Sequence, residues 1–225
     1  MIETGKGRRN MKYKAIIFDL DGVICHTDHY HYLAWKQLAD RLNIYFDEDI
    51  NNRLRGISRM ESLAIILERY HGSLLSDEEK MSLANEKNEI YREYLKTMSP
   101  KDLSLEVKNT LESLKGNGIK LAIGSSSKNA RIILKQLGVT NYFDAISDGN
   151  NISKSKPDPE VFLYAANALS ISPEFCLVVE DAVSGIIAAN AAGMDSAAVG
   201  DAMGCSSATY SIDGLADLLE ICNIH

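Results

Sequence analysis

Three short runs of apolar, strand-forming residues punctuate the chain, and each ends on polar residues. KAIIFDL at Lys14–Leu20 breaks at Asp21-Gly22, KLAIG at Lys120–Gly124 stops at Ser125-Ser126-Ser127, and CLVV at Cys176–Val179 stops at Glu180-Asp181. Runs that are apolar throughout, rather than alternating, predict strands buried on both faces. Phe143–Ser147 and Asp195–Val199 are shorter candidates. Between them, apolar positions recur at helical spacing over Val107–Lys115, Ala130–Leu137, Glu160–Leu169 and Gly185–Ala192. Pro159 opens the third of these, and Gly138 and Gly193 close the second and fourth. Strand alternating with helix predicts an α/β fold, a Rossmann-like parallel sheet with helices on both faces.

Residues 29–97 break this rhythm. His31–Leu42, Arg59–Tyr70 and Asp77–Leu95 all read as helix, with no strand between them, and Ser99-Pro100 marks the return to the sheet. An α-helical cap is therefore expected over residues 28–98, inserted into a core formed by 12–27 and 99–225. Residues 1–11 are read as a polar, disordered lead-in. The full 225 residues suit one main domain with such an insertion.

Composition narrows the function. Hydrophobic residues make up 45% of the chain, enough for a substantial core. A net charge of −7 argues against nucleic acid as a partner, and the basic run Lys6–Arg9 is too short to change that. Cys25, Cys176, Cys205 and Cys222 are scattered without a C-x-x-C pair, so neither a zinc nor a redox motif is indicated and a reduced, cytoplasmic protein is expected. No apolar stretch approaches the roughly 20 residues of a membrane span. The opening residues also lack the apolar segment of a secretory signal. A monomer is the default expectation.

In open α/β sheets, ligands bind beyond the carboxyl ends of the strands, and the polar residues fall there. Asp19 and Asp21 close the first run, Ser125 the second, Glu180 and Asp181 the third. Four carboxylates meeting at one sheet edge need a cation. An all-oxygen ligand set suits Mg²⁺, which favours a phosphate oxygen to complete its shell. Lys156, in Ser155-Lys156-Pro157-Asp158, is the clear cation nearby in sequence and is expected to begin the next helix, where anions are favoured. Each motif alone has an ordinary reading: Asp-Gly as a turn, the serine run as a loop or cap, Glu-Asp as compensation of a helix dipole. Their joint placement at consecutive strand ends points to a site.

That pattern resembles the phosphotransferases of the haloacid dehalogenase (HAD) superfamily, which carry D-x-D-G-[VT], Ser or Thr, Lys and an acidic pair in this order. The resemblance runs from Lys12 through nearly the whole chain. It implies that Asp19 is the nucleophile and forms an aspartyl phosphate. Asp21 would lend a backbone carbonyl to the metal while its side chain moves the proton. Glu180 and Asp181 would complete the Mg²⁺ site, and Ser125 and Lys156 would hold the phosphoryl oxygens.

Three further stretches, with Lys87-Asn88, resemble the superfamily's mutases acting on β-glucose phosphates. They are Thr27-Asp28-His29-Tyr30-His31 with Trp35, Leu54-Arg55-Gly56-Ile57-Ser58-Arg59 with Glu61-Ser62-Leu63, and Ser125-Ser126-Ser127-Lys128-Asn129. This resemblance implies a phosphosugar substrate and β-D-glucose 1,6-bisphosphate as intermediate and activator. Arg59 would bind the phosphate that is not being transferred. Arg55, Gly56, Ile57, Ser62, Lys87, Ser127, Lys128 and Asn129 would complete the substrate site, and Thr27 and His31 would couple cap closure to Asp21. Trp35 is expected in the cap core, and His29, His71 and His225 on the surface.

Arg55 stands where Lys is more frequent, His26 where an acid is, and Ala182 where Ser is. None of these removes a group the chemistry requires. A sugar-phosphate phosphatase on the same scaffold is the alternative, with water as acceptor and less need of a second phosphate clamp. A non-catalytic sugar-phosphate module would not need Asp19, Asp21, Lys156 and the acidic pair together.

Overall fold

The computed structural model describes residues 11–54 and 58–224. Its sheet contains β1 (Ala15–Phe18), β2 (Lys120–Gly124), β3 (Ala145–Ser147), β4 (Cys176–Glu180), β5 (Asp195–Ala198) and β6 (Tyr210–Ser211). All neighbours pair in parallel, in the order β3-β2-β1-β4-β5-β6. β1 is central, with Phe18 in register with Ile123 on one side and Val179 on the other. The ends of β1, β2 and β4 therefore come level. Chain direction diverges at β1, with β2 to one side and β4 to the other, which opens a crevice at the carboxyl edge of the sheet.

The period of two along a strand divides the core. Ile16 and Phe18 face one layer, with Leu111 and Leu114 of α5 (Leu105–Gly116), Ile133 of α6 (Ala130–Gln136) and Leu218 of α9 (Asp217–Ile221). Ala15 and Ile17 face the other, with Phe162 and Ala165 of α7 (Glu160–Leu169) and Ala188 of α8 (Val183–Ala191). No helix of the described residues is long and apolar enough to cross a membrane.

Four helices lie between β1 and the Ser99-Pro100 turn: α1 (Asp28–Arg41), α2 (Glu48–Asn52), α3 (Arg59–Leu67) and α4 (Asp77–Leu95). Ser58 with Glu61, and Ser76 with Glu79, form capping boxes that start α3 and α4. These helices enclose a hydrophobic cluster of their own, centred on Trp35, Leu38, Phe46, Leu63 and Ile66. α4 belongs to both cores: Ala84 packs in this cluster, while Tyr91 and Leu95 pack in the sheet's.

The expected strands and long helices are present, with ends displaced by a few residues. β6, α2 and α9 were not expected from the pattern, because elements of two to five residues show no usable periodicity.

The first turn of α8 lies hard against the end of β4. A Cβ on Gly185 would stand 1.7 Å from Glu180 Oε1. We expect Gly185→Ala to destabilise the fold by roughly 1–3 kcal/mol, because a buried methyl must displace a buried carboxylate. Gly116→Ala, whose methyl meets nothing within 4 Å, should be neutral or stabilising. Urea midpoints of the two variants check this.

Candidate active site

Three carboxylates meet where β1 and β4 end. Oxygens of Asp19, Glu180 and Asp181 lie within 4.8 Å of one another, and Asp19 and Glu180 are buried. Asp19 stays in line with β1 because its N–H donates to the Val179 carbonyl at 2.9 Å. The Asp181 N–H donates to Glu180 Oε2 at 3.0 Å. Lys156 Nζ donates to Asp19 Oδ1, and to Glu180 Oε1 at 3.0 Å. Burial works against the Lys156 ammonium, but Asp19 and Glu180 outweigh it and hold its pKa above the ordinary value. Burial, with Asp19 and Asp21 nearby, pushes Asp181 up to about 7, and burial drives Glu180 upward too. One ammonium among three carboxylates leaves the cluster short of positive charge. Hard oxygen donors in such a deficit fit a divalent cation, which these three side chains would hold.

Gly22 makes the arrangement possible. Its φ is +81°, and a Cβ there would stand 1.8 Å from Asp181 Oδ2. Both the turn and the close approach of Asp181 need a residue without a side chain.

Two expectations need correction. The fourth carboxylate does not join the cluster. β1 ends at Phe18, the chain turns through Gly22, and the Asp21 side chain goes to Thr27 instead. Nor does Lys156 begin a helix: α7 starts at Glu160, and Lys156 lies in the preceding turn, closed by the Asp158 N–H on the Ser155 carbonyl at 3.1 Å. A residue before proline is disfavoured in the helical region, so Lys156-Pro157 stays outside the helix.

Asp21 begins a chain of contacts into the inserted helices. Thr27 donates to Asp21 Oδ1 from its N–H at 2.8 Å and from Oγ1 at 2.7 Å. The Tyr91 hydroxyl donates to Thr27 Oγ1 at 2.9 Å. The Tyr91 ring stacks on His31 at 4.0 Å, and His31 Nδ1 lies 2.7 Å from Lys87 Nζ. Lys87 also sits over the rings of Trp35 and Tyr91. Burial raises Asp21 to about 6, against the pull of the Thr27 bonds and with Asp19 adding to it. Burial, then the positive charge of Arg59, lowers Lys87 to about 7. Burial, then Lys87 and Arg59, hold His31 well below its usual range. His31 thus reaches Asp21 only through Tyr91 and Thr27.

Beside Asp21 opens a cavity of about 530 Å³. Its sheet side is Asp21 with Ser126 to Asn129, and its other side includes Arg59, Ser62, Lys87 and Trp35. Arg59, Ser62, Lys87, Ser127, Lys128 and Asn129, all expected at a substrate site, come together here. Arg55, Gly56 and Ile57 lie outside the described residues. Ser125 is buried at the strand end, where its Oγ accepts from the Ser127 N–H at 3.2 Å. Trp35 is in the cap core as expected, and it also borders the cavity. Arg59 Nη2 donates to Asn88 Oδ1 at 3.2 Å, and Asn129 Nδ2 donates to the same oxygen at 3.0 Å. Burial pushes the pKa of the Arg59 guanidinium down, and no carboxylate among the described residues opposes it.

Sequence reasoning gave Tyr91 no part, and named Asn88 without a role. Tyr91 lies on the same face of α4 as Lys87, four residues on, and that spacing is the signal that could have found it. Asn88, adjacent to Lys87, carries no such signal.

A profile of haloacid dehalogenase-like hydrolases matches residues 13–193. The beta-phosphoglucomutase of Bacillus subtilis is 42% identical over 207 residues, 91% of each chain. A phosphorylated carbohydrates phosphatase of Thermotoga maritima is 31% identical, over 81% of this chain and 82% of that protein. The crystal structure of a β-phosphoglucomutase from Clostridium difficile superposes with a TM-score of 0.81 at 39% identity, covering 94% of this chain and 97% of that one. With three strand-end motifs and Lys156 at one crevice and a family match over most of its length, the chain belongs to the haloacid dehalogenase-like hydrolases.

Proposed function

We propose that this chain is a β-phosphoglucomutase, interconverting β-D-glucose 1-phosphate and β-D-glucose 6-phosphate through β-D-glucose 1,6-bisphosphate. The observation that supports this reading is positive charge at two places in the crevice: Lys156 beside Asp19, and Arg59 across the cavity beside Asp21, with no carboxylate paired to it among the described residues. A phosphatase needs the first place only, whereas a mutase must hold a bisphosphate in either orientation.

Mg²⁺, held by Asp19, Glu180, Asp181 and the Asp21 carbonyl, would neutralise carboxylate and phosphate charges that otherwise repel one another. The chain's own groups do the rest. An Asp19 oxygen attacks the phosphorus of the bisphosphate, the bond to the sugar oxygen breaks, and Asp21 gives that oxygen its proton. In the return half, Asp21 takes the proton from the hydroxyl that attacks the aspartyl phosphate. An Asp21 pKa near 6 suits both directions at neutral pH. Lys156 keeps Asp19 oriented and supplies positive charge to the phosphoryl oxygens, and Ser125 offers its hydroxyl to them. We take residues 28–98 as a cap whose closure excludes water. The chain from Thr27 through Tyr91 and His31 to Lys87 ties cap position to the Asp21 carboxylate.

With β-glucose 1-phosphate, Mg²⁺ and a trace of the 1,6-bisphosphate, the enzyme should form glucose 6-phosphate with little free phosphate, both assayed in one tube. Sustained release of phosphate without glucose 6-phosphate would make it a phosphatase. Asp19→Asn should lower turnover at least about 10⁴-fold. Chelation of divalent metal should abolish activity. Adding Mg²⁺ back should raise the thermal midpoint, by an amount equivalent to about 2.7 kcal/mol at 100 times its Kd.

Lys87 gives a pH signature. Its pKa is near 7 folded and 10.5 unfolded, so between those values the unfolded chain binds more protons. Its contribution to stability therefore rises with pH over that window and is flat below it. The stability of wild type relative to Lys87→Met should climb from pH 7 to pH 10 in denaturant titrations. A constant difference would show that Lys87 is not depressed.

A further inference from the structure

One neutral oxygen receives donors from both walls of the cavity. Asn88, on α4, accepts at Oδ1 from Arg59 of α3 at 3.2 Å and from Asn129 at the start of α6 at 3.0 Å. Asn129 occupies the N-cap position of α6, yet its side chain makes no capping bond. Asn is among the favoured capping residues, so the side chain forgoes a local role to reach across the crevice. Arg59 is half-buried, and its acceptor here is an uncharged amide. A guanidinium prefers an anionic oxygen, to which its bonds are shorter and about twice as strong. Lys128 borders the same cavity and adds its positive charge to that of Arg59.

We propose that Asn88 is a place-holder: its amide oxygen stands where an oxygen of the substrate's non-transferring phosphate binds, and occupies Arg59 and Asn129 until the phosphate displaces it. The identity of the anion rests on the mutase reading above. Because the donors come from opposite walls, exchange of amide for phosphate keeps cap and core joined through the same two groups. The bond is thereby a resting latch that substrate replaces rather than breaks.

The test separates a place-holder from a ligand. Asn88→Ala removes the competing oxygen and should lower KM for β-glucose 1-phosphate about fivefold, with a smaller effect on kcat. Asn88→Ser, a second variant in case the first folds poorly, should move KM the same way. Asn88→Asp places a competing charge there and should raise KM about tenfold or more. In the wild-type enzyme, titration with inorganic phosphate should shift the Asn129 side-chain amide and the Arg59 Nε–H NMR signals together. A higher KM for Asn88→Ala, unchanged KM in the variants, or an unmoved Asn129 amide would overturn the proposal. Arg59→Ala is the control on the underlying reading and should raise KM roughly tenfold to a hundredfold. If it does not, the phosphate clamp itself fails, whatever the Asn88 variants do.

Discussion

Mutual repulsion among Asp19, Glu180 and Asp181 is the constraint around which the crevice is organised. Two unit charges separated by 4.8 Å repel by about 3 kcal/mol at an effective dielectric near 20. Burial adds to that, and lifts both carboxyls of the acidic pair. The neighbouring chain answers with Lys156, with the Asp181 N–H on Glu180, and with two glycines that leave room for the carboxylates. None of these supplies enough positive charge. The fold holds the cluster in a condition that a divalent cation would relieve.

Legibility in the sequence followed burial. β1, β2 and β4 are enclosed on both faces, so they appear as unbroken apolar runs, and their polar ends could be aligned before any coordinates. β6 depends on tertiary support, with Tyr210 bonded to Tyr13 at 3.0 Å and packed edge-on against it. No pattern in two residues could announce it. The direction of Asp21 was illegible for another reason. Period-two reasoning holds only while the strand lasts, and the left-handed turn at Gly22 redirects the chain. Asn88 acts through the approach of α4 to the start of α6, which no local spacing encodes.

α4 concentrates several tasks. Ala84 anchors it among the inserted helices and Leu95 in the sheet core, and between them Lys87, Asn88 and Tyr91 face the crevice. A helix fixed at both ends transmits small shifts as a rigid body. Asp21 and Arg59, at opposite ends of the proposed reaction, thus respond to the same element: Asp21 through Tyr91 and Thr27, Arg59 through Asn88.

The Lys156–Asp19 pair joins residues 137 positions apart, and Lys156 reaches Glu180 across another 24. Contacts of such separation form only after long loops have closed. Asp19 meets Lys156 only in a chain that spans residues 19 to 156, and Glu180 joins them only through β4. A fragment that stops before β4 carries both aspartates but lacks the acidic pair that faces Asp19. The site is therefore a property of the sheet as a whole and of none of its segments alone.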